Sequence, residues 1–369
     1  MHTSKNFVPG LDGVIAAETE ISFLDVEKEK IVIRGENLIA LAKDRTYFDV
    51  VHLLLEERIP SEEERSSLED YIKHFYRLPD DILPLFQLLP KGMHPMDGMR
   101  TVISLLAGYD KDIENRSMQK NKQRAYQLLG QLPFITVNSY FATEGKAIAR
   151  PDENLGYSAN FLYMITGKKP SELEVAIFDQ LLLLYIEHEM PNSTFAGRVI
   201  ASTNADMYGA LSGAISSLKG NLHGGANEAV MHMLREVDTV DGFEALIRHK
   251  LQNKEKIMGF GHRVYMKKMD PRATIMKEAL RKLCERDKDY TLLEMCEAGE
   301  EIMREEKGLY PNLDYYAAPV YWKLGIPIPL YTPIFFSART AGLAAHIMEQ
   351  HDNNRIFRPR VAYTGKSYS

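Results

Sequence analysis

Cysteine is almost absent from this sequence of 369 residues, in which only Cys284 and Cys296 occur. A single disulfide would add little to a chain of this length, because a core of this size is stable without one. Both thiols are therefore expected to be reduced, as is typical of a cytoplasmic protein.

Long apolar runs are also missing. The densest run, residues 181–186, has six residues, whereas a membrane-spanning helix needs about 20. The first residues, MHTSKNFVPGLDGV, lack the basic and then apolar pattern of a signal peptide. The sequence therefore predicts neither a membrane protein nor a secreted one.

Positive charge is not in excess, since 45 Lys and Arg stand against 51 Asp and Glu and the formal net charge is −6. Nucleic acids and anionic membranes select clustered positive charge, so neither is an expected partner. The composition, 45% hydrophobic and 26% charged, is typical of a globular protein. At about 150 residues per domain, the length predicts about two or three domains, or a large domain with a smaller one attached.

Several common catalytic motifs are absent. There is no Gly-x-x-x-x-Gly-Lys-Ser/Thr phosphate loop, no Cys-x-x-Cys pair and no Gly-x-Ser-x-Gly nucleophile elbow. His188-Glu189 begins like a zinc-protease motif, but Asn192 stands where the second histidine ligand is needed. Gly259-Phe-Gly261 begins like a dinucleotide fingerprint, but the third glycine is missing. No metal site is predicted.

Helical periodicity dominates the chain. Apolar residues at positions 47, 50, 51, 54 and 55 recur with helical spacing. Three capping boxes mark helix starts: Thr46 with Asp49, Ser61 with Glu64, and Ser171 with Glu174. The helix that starts after Ser171 is predicted to continue until Pro191 stops it.

Residues 21–33 are the best strand candidate. Ile21 and Phe23 alternate with polar neighbours, as do Ile31 and Ile33, and a charged turn separates the two pairs. This pattern predicts one small N-terminal β-hairpin in a mainly α protein.

Residues 195–218 are rich in Ala, Gly and Ser, and contain Gly209 and Gly213 at a spacing that allows close helix packing. Asn204 and Asp206 argue against a membrane, so we expect one tightly packed helix here, at a subunit interface, or else an ordinary helix that carries costly glycines. No Pro/Gly/Ser linker marks a domain boundary, so a second domain is predicted to be an insertion.

Four polar clusters stand out against the helical background: 187–192, 220–227, 259–272 and 312–316. A lone histidine, arginine or aspartate in such a cluster is usually structural. In combination, however, histidines set among glycines can approach a ligand closely, and arginines match a substrate with several carboxylates. A carboxylate with two imidazoles can move protons in both directions.

These clusters resemble the citrate synthase superfamily, which includes the 2-methylcitrate synthases. The matching segments run in family order over nearly the whole chain: HPMDGMRT (94–101), HEMPNSTFAGR (188–198), GNLHGGANE (220–228), GFGHRV with DPR (259–272), NLDYYAAPVY (312–321), TPIFFSARTAG (332–342) and RPRVAYTG (358–365). The resemblance implies a mainly helical, two-domain homodimer with its active site in the cleft. It implies a large domain, residues 1–224 and 325–369, and a small inserted domain, residues 225–324.

The resemblance also implies residue roles. The catalytic residues would be His223, His262 and Asp314. The oxaloacetate contacts would be His188, Asn192, Arg272, Arg339 and, from the partner subunit, Arg358. The coenzyme A contacts would be Lys256, Ile257, Met258, Gly259, Phe260 and Lys267. No permanently bound cofactor is implied; an acyl-CoA thioester and oxaloacetate would be the substrates.

Two departures from the family pattern bear on these roles. The segment between His262 and Arg272 has one residue more than in many bacterial members, which leaves open which lysine meets the CoA phosphates. Ala317 and Ala318 stand where plain citrate synthases often carry Ser-Gly. Together with HPMD at 94–97, that difference favours a 2-methylcitrate synthase with citrate synthase side activity. The alternatives are a dedicated citrate synthase, a citryl-CoA lyase and an inactive helical scaffold.

Overall fold

The computed structural model describes residues 7–25, 27–28, 30–220, 223–261, 265 and 268–366. The predicted hairpin is present as β1 (Ser22–Asp25) and β2 (Lys30–Ile33), and β3 (Glu36–Asn37) extends it to three antiparallel strands. Ile31 and Ile33 are buried as predicted, whereas Phe23 is 58% exposed. Ile21, just before β1, is also buried, so the predicted alternation holds at Ile21 and fails at Phe23. Within β1 the buried residue is Ser22, which pairs with Ile33.

The rest of the described chain is mainly helical, as predicted. Its first eight α-helices are α1 (Leu38–Asp44), α2 (Tyr47–Glu56), α3 (Glu62–Lys73), α4 (Leu83–Leu88), α5 (Pro95–Leu106), α6 (Met118–Thr143), α7 (Tyr157–Thr166) and α8 (Glu172–Tyr185). The next eight are α9 (Asn192–Ala201), α10 (Met207–Leu218), α11 (Ala226–Leu234), α12 (Val240–Gln252), α13 (Pro271–Asp287), α14 (Thr291–Lys307), α15 (Leu313–Lys323) and α16 (Tyr331–Asp352). Short 3₁₀ turns occur at Pro9–Leu11, Asp80–Ile82, Ala107–Tyr109 and Ile328–Leu330.

All three predicted capping boxes are confirmed. In front of α2, α3 and α8, the hydroxyl of the cap residue accepts the N–H of the third helical residue. The acidic side chain of that third residue accepts the N–H of the cap in return. Two donors that the first turn of a helix leaves unpaired are satisfied at each start.

The end of α8 differs from the prediction. The helix stops at Tyr185, with Ile186 as its cap, instead of continuing to Pro191. Glu187 is held outside the helix because its carboxylate accepts hydrogen bonds from Ser22 and His346, and Glu189 adopts a left-handed φ of 60°. Tertiary hydrogen bonds therefore end the helix before proline does.

The small-residue segment forms two helices, α9 and α10, rather than the one predicted. They pack against each other, and Gly213 lies directly against the side chain of Ile200, where a Cβ would overlap its Cδ1. The glycine spacing therefore serves packing within this chain, whereas Gly209 has only the nearby Asp206 carboxylate beside it.

The packing of the helices places the polar clusters near one another. In one group, α6, α9 and α10 pack around α16, whose residues are almost all buried. In the other, α13 and α11 pack on α15, and α12 packs on α14. Contacts between α11 and α16 join the two groups, and so do those between α13 and α8, since α8 packs on α16. Among the described residues, no helix is both long enough and apolar enough to span a membrane.

Candidate active site

His223 lies in the turn between α10 and α11, and its hydrogen bonds define its tautomer. The backbone N–H of Ser193 donates to Nε2 of His223 at 3.2 Å, and the Ser193 hydroxyl lies 2.9 Å from the same nitrogen. A backbone N–H can only donate, so Nε2 carries a lone pair and Nδ1 carries the proton. Burial, with Arg339 nearby, lowers the pKa of His223 to about 4. At neutral pH the ring is therefore an uncharged donor through Nδ1.

The glycine beside this histidine has a structural use. The N–H of Gly224 donates to the carbonyl of Leu218 at 2.9 Å, and a Cβ at position 224 would overlap that carbonyl oxygen. The space that glycine leaves here is filled by the end of α10. At Gly224 this space is therefore taken by the chain itself, whereas a Cβ at Gly225 would meet no atom within 4 Å.

Asp314 is the second residue of α15, whose first turn begins at the Asn312 cap. Its carboxylate oxygen Oδ1 accepts a 2.7 Å hydrogen bond from the hydroxyl of Tyr185. Burial raises the pKa of Asp314 above its ordinary value, while Tyr185 and the cations Arg272 and Arg339 lower it in part. The carboxylate is thus more basic than an exposed aspartate.

Two buried arginines, Arg272 and Arg339, lie within electrostatic range of Asp314 and of each other. Arg272 forms an ion pair of 2.7 Å with Asp270, which is fully buried and caps α13. Arg339, 3% exposed, donates from Nε to the carbonyl oxygen of Tyr185 at 2.6 Å and stacks on Phe335. Burial lowers the pKa of Arg339 to about 10, so it stays charged at neutral pH.

The segment after α8 carries His188, which is half-buried beside the buried Glu187. Ser22 on β1 holds this segment, because its hydroxyl donates to Glu187 at 2.9 Å and accepts the N–H of Glu189 at 3.0 Å. Glu187 also pairs with His346, and it lies within electrostatic range of Arg339. The N-terminal sheet therefore fixes a segment that leads into the candidate site.

The predicted CoA segment runs beside the strand-like residues that lead to Asp314. The carbonyl of Gly259 accepts the N–H of Asn312 at 2.9 Å, and the N–H of Gly261 donates to the carbonyl of Tyr310 at 2.9 Å. Gly259 has a φ of 87°, and a Cβ there would lie 2.9 Å from the ring of Tyr315. This residue must therefore be glycine.

The side chains of this segment differ in exposure. Lys256 is exposed, Ile257 is buried, and Met258 and Phe260 are half-buried. Phe260 packs on the ring of Tyr315, with centroids 4.4 Å apart. Two predicted site residues, His262 and Lys267, lie outside the described residues.

Two predicted substrate contacts are exposed. Asn192, the first residue of α9, is exposed and accepts a 2.5 Å hydrogen bond from the Ser217 hydroxyl. Arg358 is exposed in the irregular tail after α16. It lines a groove of about 1410 Å³ between this tail, α9, α16 and residues 11–20. Within one chain, therefore, His223, Arg272 and Asp314 all lie within electrostatic range of Arg339, and Arg358 is exposed in the tail.

The comparisons with known proteins identify the family of this chain. The model of the family "Citrate synthase, C-terminal domain" matches residues 10–360. This chain belongs to the citrate synthase family. It is 64% identical to a citrate synthase of Heyndrickxia coagulans over 99% of this chain and 98% of the relative. It is 63% identical to a citrate/2-methylcitrate synthase of Bacillus subtilis, over 100% of this chain and 99% of the relative.

Solved citrate synthases have the same fold. The ternary complex of citrate synthase from Thermoplasma acidophilum with carboxymethyl coenzyme A and oxaloacetate has a TM-score of 0.90 at 29% identity. That comparison covers 98% of this chain and 97% of that chain. Citrate synthase from Pyrobaculum aerophilum has a TM-score of 0.89 at 33% identity, covering 98% of this chain and 93% of that chain. The predicted family and mainly helical fold are confirmed, and the residue roles stay predictions.

Two residues that contact His223, Asp314 or Arg339 in this member of the citrate synthase family were not predicted from the sequence. Tyr185 lies within an otherwise aliphatic run, residues 181–186, which is typical of a core residue, although a buried phenol needs a hydrogen-bond partner. Ser193 stands inside a matching family segment, and both its backbone N–H and its hydroxyl contact His223. A backbone contact of this kind leaves no side-chain pattern in the sequence.

Proposed function

We propose that this enzyme condenses a short acyl-CoA with oxaloacetate and water, releases free CoA, and uses both propionyl-CoA and acetyl-CoA. The observation that carries the chemistry is a neutral His223, protonated on Nδ1, in one cluster with the carboxylate of Asp314 and two buried arginines. A hydrogen-bond donor and a base are the two groups that enolisation of a thioester requires.

In the proposed reaction, the carboxylate of Asp314 removes a proton from the carbon next to the thioester carbonyl. His223 donates its Nδ1–H to the carbonyl oxygen while negative charge develops there. A donor placed in this way typically contributes about 3–4 kcal/mol to the transition state. Because His223 has a pKa of about 4, it acts at neutral pH as a neutral donor.

The enol carbon then attacks the keto carbon of oxaloacetate. From its family motif, we assign His262 as the donor to the keto oxygen. We assign Arg272, Arg339, His188 and Asn192 to oxaloacetate, since a guanidinium binds a carboxylate through two parallel hydrogen bonds. Holding two reactants in register can supply about 7–11 kcal/mol in well-oriented systems. Water then cleaves the new thioester, and the CoA thiol leaves.

The proposed CoA site is the segment formed by Lys256, Ile257, Met258, Gly259 and Phe260, together with Lys267. Its support is the pair of backbone hydrogen bonds that ties residues 259–261 to residues 310–312, just before Asp314. A thioester bound along this segment would bring its acyl group next to the base.

The use of propionyl-CoA is supported by the helix that carries the base. Ala317 and Ala318 follow Asp314 by three and four positions, so they lie on the same face of α15, and both are fully buried. They stand where plain citrate synthases often carry Ser-Gly, and that difference in the helix of the base favours a substrate other than acetyl-CoA alone. One methylene is worth only about 1–3 kcal/mol in such a pocket, so both substrates are expected to react.

A homodimer with shared active sites is also proposed, with a large domain of residues 1–224 and 325–369 and a small inserted domain of residues 225–324. Arg358 is exposed in its own chain, whereas Arg272 and Arg339 are buried, which supports a role for Arg358 in the partner's site. Mixing His223→Ala and Arg358→Ala subunits tests this, because a mixed dimer would keep one intact site. Recovered activity is expected, and none after verified subunit exchange would contradict it.

The first experiment measures release of free CoA thiol with oxaloacetate, using acetyl-CoA and propionyl-CoA under identical conditions. Both are expected to react, and a higher kcat/KM for propionyl-CoA would indicate a 2-methylcitrate synthase. A strong preference for acetyl-CoA would favour a dedicated citrate synthase. Asp314→Asn is expected to abolish turnover while the fold remains, and wild-type turnover in that variant would refute the base assignment. Thiol release with neither substrate would refute the proposal.

A further inference from the structure

Tyr185 connects the two oppositely charged groups of the candidate site. It is the last residue of α8 and is 2% exposed, with its ring 4.6 Å from that of Phe335. Its carbonyl oxygen accepts a hydrogen bond from Nε of Arg339, and its hydroxyl lies 2.7 Å from Oδ1 of Asp314. One residue therefore bonds to a proposed substrate-binding arginine through its backbone and to the proposed base through its side chain.

The direction of the second hydrogen bond follows from the chemistry of the two groups. An ionised carboxylate has only acceptors, so the phenol donates. Burial and the negative charge of Asp314 raise the pKa of Tyr185 far above its ordinary value, so the phenol keeps its proton. The bond engages Oδ1, and Oδ2 accepts no hydrogen bond from any described residue. The two carboxylate oxygens of Asp314 therefore differ in their hydrogen bonding.

Other groups around Asp314 act on its charge without fixing its orientation. Arg272 on α13 and Arg339 on α16 favour the ionised form, and Asp270 at the start of α13 opposes it. Tyr321, on the same helix as Asp314, is fully buried, and its hydroxyl has no hydrogen-bond partner in the described part of the chain. Among the residues that the structure describes, Tyr185 is the group whose side chain bonds to the carboxylate.

We propose that Tyr185 is a positioning residue for catalysis: its hydroxyl holds Oδ1 of Asp314, so that Oδ2 faces the carbon from which the proton is removed. This inference rests on the proposed function, in which Asp314 is the base. The same bond favours the carboxylate over the carboxylic acid. Burial alone would leave more of the base protonated near neutral pH.

The test compares Tyr185→Phe with the matched control Tyr321→Phe. Each variant removes one buried phenol oxygen near Asp314, but only the first removes a bond to it. In Tyr185→Phe, kcat on the pH plateau is expected to fall by about 10- to 100-fold, because the base is no longer held in register. The acid limb of kcat should move to higher pH by about one to two units, as expected for a lost hydrogen bond to a charged group.

The backbone carbonyl and the ring at position 185 are retained in Tyr185→Phe. The KM for oxaloacetate is therefore expected to stay near the wild-type value, and a loss of packing alone would not produce this division between kcat and KM. Tyr321→Phe should keep the wild-type acid limb. An unchanged acid limb and kcat in Tyr185→Phe would overturn the inference, as would the same shift in both variants.

Thiol release by the wild-type enzyme shows whether the proposed reaction takes place. An inactive wild-type enzyme would refute the proposed function, whereas an active wild-type enzyme with an unaffected Tyr185→Phe variant would refute only the role of Tyr185. If Tyr185→Phe does not fold, replacing Tyr185 with 3-fluorotyrosine keeps the volume and makes the phenol a stronger donor. The acid limb should then move to lower pH. An unchanged or raised acid limb in that protein would also overturn the inference.

Discussion

Gly342, in the middle of α16, provides a sharp test of how closely the Glu187 segment is packed. A Cβ at position 342 would overlap Oε2 of Glu187 and lie 2.7 Å from the carbonyl oxygen of Ile186. The Glu187 carboxylate cannot move away freely, because Ser22 and His346 hold its other oxygen. We therefore expect Gly342→Ala to destabilise the protein, although alanine is the better helix former.

The magnitude follows from two opposing terms. Alanine in place of a mid-helix glycine stabilises a helix by about 1 kcal/mol. Displacing the Glu187 carboxylate breaks two hydrogen bonds to a charged group, at about 1.5–3 kcal/mol each. The net loss is therefore about 2–5 kcal/mol in the free energy of unfolding. The KM for oxaloacetate should also rise, since Glu187 precedes His188.

Chemical denaturation of Gly342→Ala and of Gly197→Ala measures this difference. Gly197 is also buried in a helix, but a Cβ there would meet its nearest neighbours at 3.7 and 3.8 Å, which is ordinary contact. Gly197→Ala is expected to be neutral or slightly stabilising. If the two variants unfolded at the same denaturant concentration, the argument from close approach would be refuted.

Two further predictions concern buried titratable groups. Burial favours the acid form of Glu187, but His346 and Arg339 outweigh it and lower the pKa below the ordinary 4.5. Its stabilising contribution is therefore complete above pH 4.5 and lost as pH falls through the lower native pKa. Glu187→Gln should accordingly flatten the acid side of a plot of stability against pH. Burial raises the pKa of both Cys284 and Cys296, so neither should react with a thiol reagent at pH 8 until the protein is denatured.

Local signals predicted the parts of the fold that depend on neighbouring residues. The capping box of Ser171 and Glu174 fixed the start of α8, because both partners lie within one turn. The end of α8 was mispredicted, because it depends on Ser22 and His346, more than 150 residues away in the chain. Local periodicity contains no information about such contacts.

The candidate site was also predictable only in part. The family segments identified His223 and Asp314 as chemical groups, and the structure brings both into range of Arg339. The tautomer of His223 was not predictable, because it depends on a backbone N–H, that of Ser193. The role inferred for Tyr185 was not predictable either, because its sequence context is that of a core residue.

Helix ends stabilise the charges of both Arg339 and Asp314 in the candidate site. The carbonyl of Tyr185 is at the C-terminal, partly negative end of α8, where the Nε of Arg339 binds it. Asp314 is in the first turn of α15, at the partly positive end of that helix. Each charge is thus stabilised by a helix terminus. Because the carbonyl of Tyr185 binds Nε of Arg339, the two outer nitrogens of the guanidinium remain for a substrate carboxylate. A lysine at position 339 could not hold the carbonyl and also bind a carboxylate through two parallel hydrogen bonds.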